Sequence, residues 1–194
     1  MNRKQALRNI AYYSIFTALT FVATILIRIP MASTSGGYIN FGDSIIFIAS
    51  AILGPIGGLV SGALGSVVAD LIYAPQYALI TLIAKGLEGL VAGYVVYFIR
   101  LALKDKKIVE FVSNLVGFIV GGLVMVLFYY VGTGILMGIL EESMTNGFYI
   151  SLLDVPSNFI QMGVSIAVGY AIVLGLIQIP YIKTVRDSQF IHKK

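Results

Sequence analysis

The stretch NFGDSIIFIASAILGPIGGLVSGALGSVVADLI, Asn40 to Ile72, decides how this chain folds. The apolar block it opens runs from Phe41 to Tyr73 and is interrupted at Gly54-Pro55. That block is too long for one membrane span of about 20 residues. Proline lacks an amide donor and pushes the preceding residue out of the helical region, so the block divides there. The division predicts helices over 41–53 and 56–72, joined by a tight turn. Working outward, further apolar runs at 10–29, 78–98, 110–138 and 155–180 bring the total to six spans in one transmembrane domain covering 1–194. Pro30 ends the first span, and MASTSGGYIN, Met31 to Asn40, forms a polar loop.

Charge placement favours six spans over five. Arg3, Lys4 and Arg8 precede the first span; Arg100, Lys104, Lys106 and Lys107 share a central loop; Lys183, Arg186, Lys193 and Lys194 form the tail. These are eleven of the thirteen Lys and Arg residues. Basic loops mark the cytoplasmic side. Six spans place all three clusters and both termini there, whereas a single helix over 41–73 would set the basic tail opposite the basic N-terminus. The expected fold is an all-α integral membrane bundle of six transmembrane helices. The segments 30–40, 73–77 and 139–154 lie outside, the last carrying Glu141 and Glu142.

Composition removes other classes. With 58% hydrophobic and 11% charged residues, a soluble domain is excluded. The net charge of +4 follows from the basic loops, and no basic face with interleaved aromatics offers a nucleic-acid surface. Cysteine is absent and the only histidine is His192 in the tail, so thiolate chemistry and a histidine metal site or triad are unavailable. No cofactor is predicted. The basic N-terminal flank leads to Arg28-Ile29-Pro30 without a small-residue cleavage site, which reads as a retained helix.

Small residues recur at helical spacing: Gly54, Gly58, Gly62 and Ser66; Gly89 and Gly93; Gly163, Ala167, Ala171 and Gly175. Such ridges let helices approach closely in lipid, and internal packing is expected for all three. Ala11, Ser14 and Ala18 make a further stripe on the first span, suited to a partner protein.

Polar groups gather toward the outer half. Lys85 and Glu88 lie one turn apart, about 10–15 Å below the outer start of the fourth span. Ionisable groups inside a bilayer mark a site by default. Asp154, Asn158 and Gln161 share one face near the outer end of the sixth span. Tyr38, Asn40, Gln76 and Tyr77 belong to the outer loops, where the tyrosines could cover the face of a ring. Asp43 reads as a helix N-cap, Asp154 as either a cap or a ligand group, and Asp70 as a cap or loop anchor. The candidate substrate site is Lys85, Glu88, Asn158, Gln161, Tyr38, Asn40, Tyr77 and Asp154.

The run from Asn40 to Ile72, with ITLIAKGLEGLVAGYV from Ile80 to Val95 and VPSNFIQ from Val155 to Gln161, resembles the substrate-binding S components of energy-coupling factor (ECF) vitamin transporters. The GD…GP…GG…D series resembles the riboflavin-transporter-like branch, which also has members for hydroxymethylpyrimidine, pyridoxine and pantothenate. The resemblance implies a bacterial cell-membrane protein with a pocket near the outer face and the first outer loop as a lid. It implies that the first helix docks through an AxxxA-like motif, here Ser14 and Ala18, on a transmembrane coupling subunit (EcfT). Two ATPase subunits (EcfA-type) would supply the energy, consistent with the absence of a GxxxxGK[ST] loop from this chain.

The expected function is therefore capture of a small vitamin. Lys85 next to Glu88 carries little net charge, which favours a neutral heteroaromatic such as hydroxymethylpyrimidine or pyridoxine; pantothenate has a carboxylate that Lys85 could pair with, and riboflavin needs a larger pocket. The alternative is a stand-alone ion-coupled secondary transporter using Lys85, Glu88 and Asp70, though no inverted repeat or polar path to the cytoplasm supports it. An enzyme would need a nucleophile with its base, paired carboxylates or a metal cluster, none of which the sequence displays.

Overall fold

The computed structural model describes residues 3–31, 35–103 and 106–190, with the side chains of 106 and 107 excepted. Part of the predicted lid, Lys104, and the basic end of the tail with His192 lie outside the described residues. The elements are α1 (Arg3–Leu26), β1 (Arg28–Pro30), β2 (Tyr38–Asn40), α2 (Gly42–Tyr73), a 3-10 turn (Pro75–Tyr77), α3 (Ala78–Ala102), α4 (Lys106–Leu140), α5 (Met144–Leu176) and α6 (Pro180–Phe190).

The turn at Gly54-Pro55 is a full reversal inside α2. Gly54 adopts φ 74, ψ −168, a conformation essentially restricted to glycine. A Cβ at Gly58 would come within 2.2 Å of the Ser50 hydroxyl, and one at Gly62 within 3.3 Å of Ile46 Cδ1. Eight residues along a continuous helix would separate the first pair by about 12 Å. The two halves are therefore antiparallel, and the described helices cross the membrane six times. Five of those helices are long and apolar enough to span it.

The glycine ridge of the second half meets the ridge on α3. A Cβ at Gly58 would also sit 2.4 Å from the Gly89 carbonyl oxygen, and one at Gly93 would sit 2.5 Å from Pro55 Cα. The ridge on α5 is different: Gly163, Ala167, Ala171 and Gly175 are exposed, and a Cβ at either glycine meets nothing within 4 Å. The expectation of internal packing fails there for a geometric reason. Gly163 lies about 200° around the helix from Gln161, whose polar face turns inward with Ser165, Gly169 and Val173. Both cannot face the core.

The ends of several spans also move. α1 starts at Arg3 and stops at Leu26, not over 10–29, because Pro30 holds Ile29 extended and the chain enters a short hairpin. Arg28 pairs with Asn40, Ile29 with Ile39 and Pro30 with Tyr38, so the end of the predicted first span and the end of the predicted polar loop form the two strands. The expected outer segment 139–154 shrinks to a turn between Leu140 and Met144. Ser143 caps α5 by accepting from the Asn146 amide at 3.4 Å, so Asp154 is mid-helix and caps nothing. Pro156 lies within α5, which ends at Leu176, and the tail beyond folds into α6.

The far end from the hairpin is tied together. Arg186, buried on α6, makes two hydrogen bonds to Glu110 of α4 at 2.7 and 2.5 Å. Arg100 of α3 pairs with Asp187 at 3.2 Å, Gln189 donates to Asn9 of α1 at 3.0 Å, and Phe190 lies against Gly54. This end holds the described basic clusters and is cytoplasmic. Between it and the hairpin lies an apolar core centred on Phe47 and Phe118, stacked with ring centroids 4.8 Å apart.

Candidate functional site

The outer half of the bundle encloses a cavity beneath the β1–β2 hairpin. α2, α3, α4 and α5 supply most of its walls, Thr24 of α1 adds to them, and the hairpin with the Pro75–Tyr77 turn supplies its roof. Space between the lining atoms totals about 510 Å³, but the open room at its centre is only about 30 Å³. Seven of the eight candidate residues line it: Tyr38, Asn40, Tyr77, Lys85, Asp154, Asn158 and Gln161. Residues 121 positions apart in sequence thus meet in one place, as Asn40 and Gln161 do.

Lys85 forms the floor. It is 1% exposed, and its ammonium lies 2.5 Å from Asp43 Oδ1 and 3.2 Å from Glu88 Oε2. The sequence links Lys85 with Glu88; the structure adds Asp43 from α2. The expected N-cap role of Asp43 is not realised, because α2 begins after Phe41 with no side-chain cap and the Gly42 amide donates instead to Asn40 Oδ1 at 2.8 Å. Glu88, fully buried, sits behind Lys85 and does not line the cavity. Two carboxylates therefore share one ammonium.

Gln161 has both ends of its amide engaged. Its nitrogen donates to Asp43 Oδ2 at 2.7 Å, and its oxygen accepts the backbone amide of Asn40 at 2.9 Å. It is a strut between α5, the buried ion cluster and β2. Two further ties hold the roof. The Tyr77 hydroxyl donates to the Ser35 carbonyl at 2.8 Å, and the Tyr38 hydroxyl donates to Asp70. Burial, and next the charge of Asp70, raise the Tyr38 phenol above its usual range, so it stays a donor at neutral pH.

The sequence reading gave too little weight to Asp70 and passed over Thr81, Tyr129 and Thr133. Asp70 also accepts from the Thr81 hydroxyl, which lies 2.8 Å from the Tyr129 hydroxyl. Thr81, Lys85 and Glu88 follow i, i+4, i+7, and Tyr129 and Thr133 follow i, i+4, so helical periodicity from Lys85 would have found the first of these. Asn158, 4% exposed, lines the cavity, and its amide side chain makes no hydrogen bond within the described residues.

The stripe on α1 is exposed along its length, at Ala11, Ser14 and Ala18. Ser14 and Ala18 line an apolar groove with Val60, Leu64, Gly65 and Val68 of α2; Ala11 lies outside it.

Comparison with known proteins agrees with this architecture. The fold is similar to that of the S component of a bacterial ECF transporter, with a TM-score of 0.64 at 18% identity over 89% of this chain and 97% of the other. It is similar also to the S component for biotin from an ECF-type ABC transporter, with a TM-score of 0.59 at 18% identity over 89% and 94%. A Pyrococcus woesei protein described as an uncharacterized protein in the gap 3′ region is 40% identical over 108 residues, which is 56% of this chain and 66% of that relative. Residues 4–178 match one family throughout, and the chain, a multi-pass protein of the cell membrane, belongs to the S components of ECF-type riboflavin transporters.

Proposed function

We propose that this chain captures a small water-soluble vitamin or vitamin precursor from outside and delivers it inward with a transmembrane coupling subunit and two ATPase subunits. S components of this family are substrate-binding subunits rather than enzymes. The observation that carries the reading is the polar cavity under the hairpin, walled mainly by four helices and floored by the Asp43–Lys85–Glu88 cluster. The open room of about 30 Å³ is far below the about 300–1,000 Å³ of occupied small-molecule sites, so the structure is a closed form that must widen to admit a ligand. A single-ring ligand, such as hydroxymethylpyrimidine or pyridoxine, needs less widening of this room than the tricyclic ring of riboflavin. Entry requires the hairpin to lift, which means releasing the Tyr38, Tyr77 and Asn40 ties. The exposed Ala11, Ser14 and Ala18 face of α1 is the surface proposed to meet the coupling subunit.

Mass spectrometry of small molecules released from the purified, detergent-solubilised chain tests the proposal. One vitamin-like compound at near-stoichiometric amount is the expected result. A protein that releases nothing and gains no thermal stability from a vitamin panel refutes it. ATP-independent uptake by the chain alone in liposomes, driven by an ion gradient, would support the secondary-transporter reading in its place.

A further inference from the structure

We infer that the ligand is a nitrogen heteroaromatic bearing a positive charge, permanent or acquired by protonation. This deepens the vitamin-binding reading and rests on it. Lys85, already shared by Asp43 and Glu88, has little charge to offer an anion. Asp43 and Glu88 pair with the Lys85 ammonium, and the carboxyl group of Asp70 lines the same cavity, as does that of Asp154. Asp70 accepts from two neutral hydroxyls, those of Tyr38 and Thr81. Arg28, on β1, stacks its guanidinium 3.3 Å above the Tyr73 ring and does not line the cavity.

Two other features point to the same chemistry. Tyr38, Tyr77 and Tyr129 line the cavity beside these carboxyls, and aromatic faces attract cations most strongly where water is excluded. Asn158, 4% exposed on the cavity wall, makes no side-chain hydrogen bond among the described residues. An asparagine amide matches an amino-substituted ring edge, donating to a ring nitrogen while accepting from the exocyclic amine. Carboxyl surplus, tyrosine faces and the Asn158 amide together suit a basic amino-heteroaromatic ring and disfavour a carboxylate such as pantothenate.

The test titrates the purified full-length chain with thiamine, pyridoxamine, hydroxymethylpyrimidine, pyridoxine, riboflavin and pantothenate. The tightest binder is then measured against Asp70→Asn, which removes the charge and keeps one of the two oxygens that accept from the Tyr38 and Thr81 hydroxyls. The expected result is a tightest ligand with a basic or cationic nitrogen, weakened at least fivefold by Asp70→Asn and largely restored by Asp70→Glu. A smaller loss, or riboflavin or pantothenate as the tightest binder, overturns the charge inference and leaves vitamin binding standing. Binding of none of the six removes both. If Asp70→Asn does not fold, Asp154→Asn is read by the same criterion.

Discussion

Changing Lys85 to methionine tests the buried cluster against its own arithmetic. Lys85 lies 2.5 Å from Asp43 and 3.2 Å from Glu88, and all three side chains are buried. At an effective dielectric of about 20, those separations give attractions of about 7 and about 5 kcal/mol. Desolvation of the three groups offsets most of this, so the intact cluster adds little net stability. Removing the ammonium is another matter, because it strands two carboxyl groups in a closed space. Breaking a buried pair by deleting one partner costs about 3–5 kcal/mol. For a chain of this size that corresponds to a fall in Tm of about 6–20 °C. Glu88→Gln should behave oppositely: it leaves a matched Asp43–Lys85 pair and shifts Tm by less than about 3 °C. Adding Asp43→Asn to Lys85→Met should recover part of the loss, since fewer charges are then stranded. Thermal unfolding of the detergent-purified variants reads all of these. Equal losses for Lys85→Met and Glu88→Gln would refute the two-carboxylate, one-ammonium account.

Three further outcomes follow from other parts of the molecule. Gly54→Ala forces a side chain into a glycine-only conformation although Phe190 leaves room for the Cβ at 3.7 Å; the cost is strain of about 2 kcal/mol, read as a Tm lower by about 4–8 °C. Asn158→Ala removes an amide with no hydrogen-bond partner among the described residues, so it should weaken the ligand at least tenfold in a titration while leaving Tm of the ligand-free protein within about 2 °C. Ala18→Trp adds bulk to the exposed stripe of α1, so ligand binding should persist while co-purification with the coupling subunit is lost; retained co-purification would move the docking surface elsewhere.

Much of this architecture is legible in local sequence chemistry. Gly54-Pro55 announces the reversal because proline and a positive-φ glycine are each incompatible with a continuous helix, and the basic clusters fix which end is cytoplasmic. Part of the candidate cavity is legible too, since few polar side chains occur in the apolar spans and seven of the eight candidates line it. Pairing is what sequence conceals. Asp43 looks like a cap because it opens a helix, and only the packing of α2 on α3 reveals Lys85 as its partner 42 residues away. Asp154 looks like a cap because Pro156 follows it, yet Ser143 starts α5 almost three turns earlier. The α5 ridge was decidable in principle, because the face holding Asp154, Asn158 and Gln161 excludes Gly163 from the core by rotation alone.

The division between the two ends of the bundle constrains how a ligand can leave it. Toward the hairpin the walls are polar, and the roof hangs on side-chain hydrogen bonds from Tyr38, Tyr77 and Gln161. Toward the cytoplasm the described residues offer a packed apolar core of Phe47, Ala51, Ala92, Phe118 and Val173. Below them Arg186 and Glu110 lock α6 to α4, and glycine contacts hold the second half of α2 on α3. Opening a channel through that core would expose packed apolar surface and pull apart helices in backbone contact. Lifting the hairpin exchanges three hydrogen bonds for bonds to water, each with a net cost of only about 1 kcal/mol. The outer gate is thus far cheaper to open than one through the described apolar core. Under the proposed function, a ligand would leave by the side it entered, and inward delivery would need the hairpin end to reach the cytoplasmic face by movement of the whole subunit against the proposed coupling subunit, as the family resemblance also implies.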